Sequence, residues 1–282
     1  MKNYAQSIIV FVFILISTIA SGQEFQGEAT YKTSRKMDFK LDEEGKNQGI
    51  DEDMQKKLNE MLQKQFQKEY KLTFNTSESI YKEEGKLAAP QPQAGGMQIM
   101  VMGSSESNIL YKNMKEKRYT NQEDIFGKVF LIQDSLENKE WKLGTETKFI
   151  GQYQCFKATR TIEREKIVTI GLNESEEEPK VTKEKVTITA WYTPEIPVNA
   201  GPATYWGLPG LILEVNDGSE TIICSKIVIN PKDKIVIKEP TKGKKVNQEK
   251  FEAIIRKKTK EMTERYRGNG RKGESMTIQI GG

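Results

Sequence analysis

The chain has 282 residues, of which 30% are charged and 36% hydrophobic, with a formal net charge of +4. So small a charge, spread along the chain rather than gathered in a basic stripe, gives no footing for nucleic acid. Histidine is absent, which excludes Ser-His-Asp and Cys-His catalysis, ordinary catalytic zinc sites and facial-triad iron sites.

In chain order, the first segment is MKNYAQSIIVFVFILISTIASGQ. It carries Lys2, an apolar run from Ile8 to Ile19, and the small residues Ala20 and Gly22. This is the pattern of a secretory signal peptide cleaved after Gly22. The run is short for a membrane span, and nothing later approaches the roughly 20 apolar residues that spanning needs. The expectation is an exported chain, periplasmic or secreted, with residues 1–22 removed and no transmembrane span. Residues 23–282 are expected to fold as one domain, because no Gly/Ser or Pro linker divides them.

GEATYKTSRKMDF (Gly27 to Phe39) predicts a first strand. DEDMQKKLNEMLQKQFQKEY then places Met54, Leu58, Met61, Leu62 and Phe66 at helical spacing, predicting an amphipathic helix. YKLTFNTSESIYKEE alternates as strand. From Lys86 to Ser107 periodicity gives way to Pro, Gly, Gln and Ser, which predicts a mobile loop. Its Met97, Met100 and Met102 are soft donors of the kind that bind copper(I), but the expectation is a partly packed loop with a short strand. No metal or cofactor is assigned.

From Asn108 the chain predicts a succession of short strands: ILYKN, KVFLIQD, EWKL, TKFIGQYQCFKATRT, EKIVTIG, KVTITAWYT, GLILEVND, ETIICSKIVIN and KIVIK. Asp217-Gly218 signals a hairpin, since glycine accepts the positive φ of a tight turn. NQEKFEAIIRKKTKEMTERYR sets Phe251, Ile254, Ile255 and Met262 on one face of a second amphipathic helix. The order implies an α+β fold: a strongly curved, mostly antiparallel β-sheet, half-barrel or bowl-like, with two amphipathic helices.

The two cysteines, Cys155 and Cys224, are candidates for a disulfide in an oxidising compartment. Closing that loop would contribute about 4 kcal/mol in the chain-entropy model. Free buried thiols are the alternative. A nucleophilic cysteine lacks a histidine to activate it.

The stretch WYTPEIPVNAGPATYWGLPGLILEV, Trp191 to Val215, crowds prolines, glycines and aromatics together. Pro194 and Pro197 hold the chain extended and outside a central ladder. Leu208-Pro209-Gly210-Leu211 predicts a type II turn, after which Leu211-Ile212-Leu213 reads as a strand covered on both faces. In one reading Trp191, Tyr192, Tyr205 and Trp206 pack beneath a stiff structural corner. In the other, Trp191, Tyr192, Glu195, Tyr205, Trp206, Gly207, Pro209 and Gly210 offer aromatic faces and backbone N–H groups to a ligand.

AWYTPEIPVNAGP and GLPGLILEV, together with WKLGTETKFIGQYQCFKA upstream, resemble the signature of the GLPGLI family, exported proteins of Bacteroidetes. The resemblance implies an exported protein and no particular activity. The functional expectation is a non-enzymatic binding or accessory protein of the cell envelope, partnered by an envelope protein or by a small ligand suited to an apolar, aromatic site. The alternatives are a half-barrel carrier of lipid or lipoprotein and, third, a carboxylate-dependent hydrolase using Glu195 and Glu214.

Overall fold

A computed structural model describes residues 25–35, 67–85, 93–94, 97–98, 108–125, 127–168 and 180–268, together with Lys56 and Glu60. The expected signal-peptide segment lies outside these residues, as does nearly all of the first expected helix and of the expected 86–107 loop.

The strands, in chain order, are β1 (Gln26–Arg35), β2 (Glu69–Asn75), β3 (Glu78–Glu83), β4 (Gln93–Ala94), β5 (Met97–Gln98), β6 (Ile109–Asn113) and β7 (Arg118–Ile125). After them come β8 (Lys128–Ser135), β9 (Lys142–Ile150), β10 (Tyr153–Val168), β11 (Lys180–Thr193), β12 (Leu211–Asn216), β13 (Glu220–Ile229) and β14 (Lys244–Val246). A helix, α1 (Gln248–Gly268), closes the described chain. The protein is thus mostly β. α1 is the helix described along its length; Lys56 and Glu60, within the first expected helix, are helical, but the expectation of two amphipathic helices is not supported. Glu69 and Tyr70, placed at the end of the first helix by the sequence pattern, belong to β2.

A single 12-stranded sheet runs in the order β14-β8-β7-β6-β3-β2-β1-β13-β12-β11-β10-β9, while β4 and β5 form a separate pair. All neighbours in the large sheet are antiparallel except β14, which lies parallel to β8. The chain steps outward from β1 to β8, jumps to the far edge at β9, and steps back until β13 pairs with β1. That jump sets the curvature. Strands β8 and β9 stand second and last in the order, about 48 Å apart along the sheet at about 4.8 Å per strand. The linker 136–141 reaches at most about 25 Å when fully extended, so the sheet bends round until its two ends approach.

Local departures from the sequence pattern have local causes. The expected strand TKFIGQYQCFKATRT is broken at Gly151, whose φ of 59° makes a tight turn between β9 and β10. β7 went unpredicted because its sequence, RYTNQEDI, is polar almost throughout. The expected strand KIVIK is not formed. It sits between Pro231 and Pro240, Val236 is 78% exposed, and Ile235 N–H bonds to the Gln26 side chain at 3.3 Å instead of to a ladder.

Helix α1 forms where expected. Asn247 Oδ1 accepts from Lys250 N–H at 3.1 Å, and Asp134 Oδ2 accepts from Gln248 N–H at 3.1 Å, satisfying two otherwise orphaned donors. Phe251 packs edge-on against Phe130 with ring centroids 5.5 Å apart, alongside Ile132, Ile254 and Ile255. Of the predicted helical face, only Met262 falls among side chains outside the description.

The larger core gathers Tyr31, Leu72, Phe74 and Tyr81 from β1 to β3 with Leu211, Leu213 and Ile222 from β12 and β13. A second cluster joins Ala158, Ile188, Ala190, Tyr192, Ile212 and Val215. Leu211, Ile212 and Leu213 are all fully buried, with Ile212 in one cluster and its neighbours in the other. The strand is covered on both faces, as the apolar triplet predicted.

Candidate functional site

Between β11 and β12 the chain makes an excursion over residues 194–210. Its side chains alternate: Ile196, Val198 and Ala200 are buried while Pro197 and Asn199 are exposed, and Trp206, Leu208 and Gly210 are buried while Gly207 and Pro209 are exposed. Ile196, Val198 and Ala200 enter the larger core, and Leu208 the second cluster. The excursion also bonds back to its own root: Ile196 O accepts from Leu211 N–H at 3.0 Å and Ala200 O from Ile212 N–H at 3.1 Å.

The expected type II turn is corrected by the hydrogen bonding. Gly210 N–H donates to Leu208 O at 2.8 Å, a γ-turn centred on Pro209, and Leu211 N–H is taken by Ile196 rather than by Leu208. Gly210 has φ 154°, far from the roughly +80° of a type II turn. The glycine is needed for closeness: a Cβ there would lie 2.2 Å from Thr193 O.

Distant strands read the backbone of this segment. Lys112 of β6 is fully buried, and its Nζ donates to Gly201 O at 2.8 Å, Ala203 O at 2.7 Å and Tyr205 O at 3.2 Å. All three ammonium protons are therefore used. Burial pushes the Lys112 pKa down to about 7, and the charge of Lys139 adds to the effect. Tyr31 OH of β1 donates to Ile212 O at 2.7 Å, and Trp141 Nε1 to Trp206 O at 3.0 Å. β6 and the linker before β9 thus converge on the excursion, and β1 on the strand that follows it.

The eight residues singled out as ligand-binding candidates are all placed by this arrangement. Trp191 and Tyr192 point to opposite faces of β11: Trp191 packs toward the larger core and Tyr192 toward the second cluster, while Tyr205 touches both. Trp206 is 6% exposed, and its Nε1 is buried with no partner. Gly207 (φ 91°) and Pro209 are exposed, and Gly210 is buried. Glu195 Oε1 accepts from Gln154 N–H at 2.9 Å. Glu214 takes Lys148 Nζ on both oxygens at 2.7 Å, and that ammonium lies 4.5 Å from the centre of the Trp191 ring. The two carboxylates proposed for hydrolysis are thus each engaged with a different group.

Cys155 and Cys224 are free thiols, and the expected bridge is not formed. Each Sγ turns to a backbone carbonyl near its own position, Cys155 to Tyr153 O at 3.6 Å and Cys224 to Lys226 O at 3.5 Å. Burial pushes their pKa values up to about 11 and about 12, which leaves both protonated and unreactive at neutral pH.

A second constellation escaped the sequence reading. On β1 to β3 and β13, Tyr70 stacks on Tyr81 with centroids 4.8 Å apart and planes 8° from parallel, and Tyr31 meets Tyr81 edge-on at 6.2 Å. Lys68 and Glu83 pair at 2.8 Å, and Arg35 lies 3.8 Å from Glu220. Burial raises the pKa of Glu220, with Asp217 adding to the rise and Arg35 and Arg164 opposing it. Burial likewise raises Tyr70 and Tyr81, and both Glu83 and Glu220 reinforce the shift. The register Leu72↔Tyr81 was readable from the β2–β3 hairpin, but nothing local announces Glu220 as a neighbour. Among the described residues no group of His, Cys, Asp and Glu is arranged to hold a metal ion.

Residues 141–214 match the family model described as "Protein of unknown function (Porph_ging)". The matched run begins at Trp141, contains β9 to β11 and the whole excursion, and ends in β12. No curated protein sequence matches. Two solved structures of PNGF-II, in space groups C2 and P21, are similar at 14% identity and a TM-score of 0.47 each. These matches cover 82% and 83% of this chain but only 32% and 33% of those chains, so this chain spans about a third of their length. No helix among the described residues is long and apolar enough to cross a membrane.

Proposed function

We propose that this is an exported protein of the cell envelope, of the GLPGLI type, that acts by binding a partner protein rather than by catalysis. The observation that carries the reading is the two-sided build of the 194–210 excursion. Its inward residues and backbone carbonyls are fixed in the core, while Glu195, Pro197, Asn199, Gly207 and Pro209 form an outward ridge. A ridge so anchored loses little conformational entropy on binding, which is what preorganisation contributes to affinity. The engagement of Glu195 and Glu214 by separate groups supports binding over hydrolysis. Viewed as a half-barrel, the bent sheet would suit a carrier of lipid or lipoprotein only if its inside were vacant. Ile196, Val198 and Ala200 fill the larger core against β1 to β3 and β12, which speaks for a packed interior.

The reading is tested by replacing exposed Asn199 with arginine, which touches none of the anchors, and cross-linking the protein in its native envelope. The mature chain should begin at Gln23 and give a defined cross-linked complex that is lost in Asn199→Arg at unchanged melting temperature. A complex that survives the substitution, or no complex with the wild type, contradicts the proposal.

A further inference from the structure

The net charge of +4 conceals a segregation. Residues 242–261, which form β14 and the first part of α1, hold eight lysines and arginines against three glutamates, and all eight cations are exposed. The path of α1 concentrates them. Asp134 Oδ2 accepts from Gln248 N–H, Phe251 lies on Phe130, and Ile254 and Ile255 share a cluster with Ile125. The helix therefore runs back along β8 toward the turn between Ile125 and Lys128, carrying Arg256, Lys257, Lys258 and Lys260 to that end. Lys242 and Lys128, both exposed, arrive there too: each stands two residues before a member of the parallel pair Lys244↔Phe130. Opposing charge does not cancel this strip. Glu249 sits in the first turn, where the helix dipole favours it, Glu252 pairs with Arg256 at 3.6 Å, and Glu261 pairs with Lys258 at 2.7 Å. On the strands beneath, Glu123, Asp124 and Asp134 are half-buried, and Glu239 is tied to Arg118. With Lys128 included, nine exposed cations face these six carboxylates outside the Arg118–Glu239 pair.

We propose that this strip docks the protein electrostatically onto an anionic phospholipid surface. Three features select that partner. The apolar side of α1 is already covered by Phe130 and Ile132, so no helix face is left to enter acyl chains, and contact is confined to headgroups. All the cations of 242–261 except Arg256 are lysines, mobile point charges that suit a diffuse layer of headgroups; a defined carboxylate on a protein favours the fixed fork of arginine. The aromatic residue within 242–261, Phe251, is buried, so the stacking platform that single-stranded nucleic acid uses is missing. The strip lies on β8, β14 and α1 and shares no residue with the 194–210 excursion, so it stands independently of the function proposed for that ridge.

The test is co-sedimentation of the full mature chain with vesicles of phosphatidylglycerol and phosphatidylcholine in equal parts, and with vesicles of phosphatidylcholine alone. The protein should sediment with the first and not the second, and high salt should release it. A lysine near an anionic surface contributes about fivefold in affinity, so the triple variant Lys242→Gln/Lys244→Gln/Lys257→Gln should bind about a hundredfold more weakly. Its melting temperature should be unchanged, since all three side chains are exposed. Lys183→Gln/Lys185→Gln/Lys226→Gln removes the same charge from exposed positions on β11 and β13, and should weaken binding by no more than about threefold. The proposal is overturned if the protein ignores both kinds of vesicle, sediments equally with both, or loses the same affinity in the two triple variants. Binding to polyglutamate without binding to vesicles would also overturn it, and would assign the strip to an acidic protein.

Discussion

The 194–210 excursion and the tyrosine–carboxylate cluster are both built from aromatic and charged residues, yet they are held in opposite ways. The excursion is gripped through its backbone: Lys112 and Trp141 donate to its main-chain carbonyls, and Tyr31 to that of Ile212 just beyond it. The cluster stands on paired strands, and its side chains are tied to one another by ring stacking and ion pairs. Backbone gripping fixes the path of the chain while leaving the outward side chains free to vary. Side-chain gripping makes the identity of each residue matter, and at Tyr81 it leaves one hydroxyl over.

Three perturbations probe how the excursion and its surroundings are held, and the largest effect belongs to the backbone. Gly210→Ala sets a methyl group 2.2 Å from Thr193 O, and main chain cannot swing aside as a flexible side chain would. The substitution should cost about 3–4 kcal/mol, at the upper end of single-residue effects, measured by urea denaturation with the slope unchanged.

Next is Lys112→Met, which keeps the length of the side chain but orphans the carbonyls of Gly201, Ala203 and Tyr205. Released burial of the charge offsets part of that loss, leaving a net cost of about 2–3 kcal/mol at neutral pH. The lysine also leaves a signature in pH. Its folded pKa is lowered to about 7, whereas the unfolded side chain titrates near about 10.4. The unfolded state therefore holds the extra proton above pH 7, and stability should rise with pH, by about 1–2 kcal/mol between pH 7 and about pH 8.5. That window lies below the titration of the thiols and tyrosines, whose folded pKa values are raised and whose contribution is lost only at higher pH. Lys112→Met should flatten the rise.

The smallest effect is chemical. With free thiols raised to about 11 and about 12, the native protein should resist iodoacetamide at neutral pH. In denaturant without reductant it should take up two alkyl groups by intact mass. Failure to alkylate after denaturation would establish a disulfide.

The excursion was largely legible in the sequence and the cluster was not. Pro194, Pro197 and Gly210 announce a stiffened path ending in a sharp turn, and the triplet Leu211-Ile212-Leu213 announces a strand buried on both faces. The turn type was misread because a type II hydrogen bond requires Leu211 N–H, and Ile196, fifteen residues earlier, competes for that donor successfully. The alternation Ile196, Val198, Ala200 was available and shows which side faces in. Lys112 could not be found, since a lysine between Tyr111 and Asn113 on a short strand looks like a solvated residue until the topology lays a loop of carbonyls over it. The cluster depends on β13 returning to β1 across the whole sheet, so Glu220 meets Tyr70 and Tyr81 only through long-range order. Strand β7 was missed because it contributes little beyond Tyr119 and Ile125 to any apolar pattern.

The central claim is that the excursion is part of the core rather than a surface loop, and amide hydrogen exchange tests it most directly. The N–H groups of Gly207, Leu211 and Ile212, bonded to Asn199, Ile196 and Ala200, should exchange only through global unfolding, with protection equal to that of the β1–β13 ladder. Exchange of these amides at the rate of a local opening, with β1 and β13 still protected, would contradict the account.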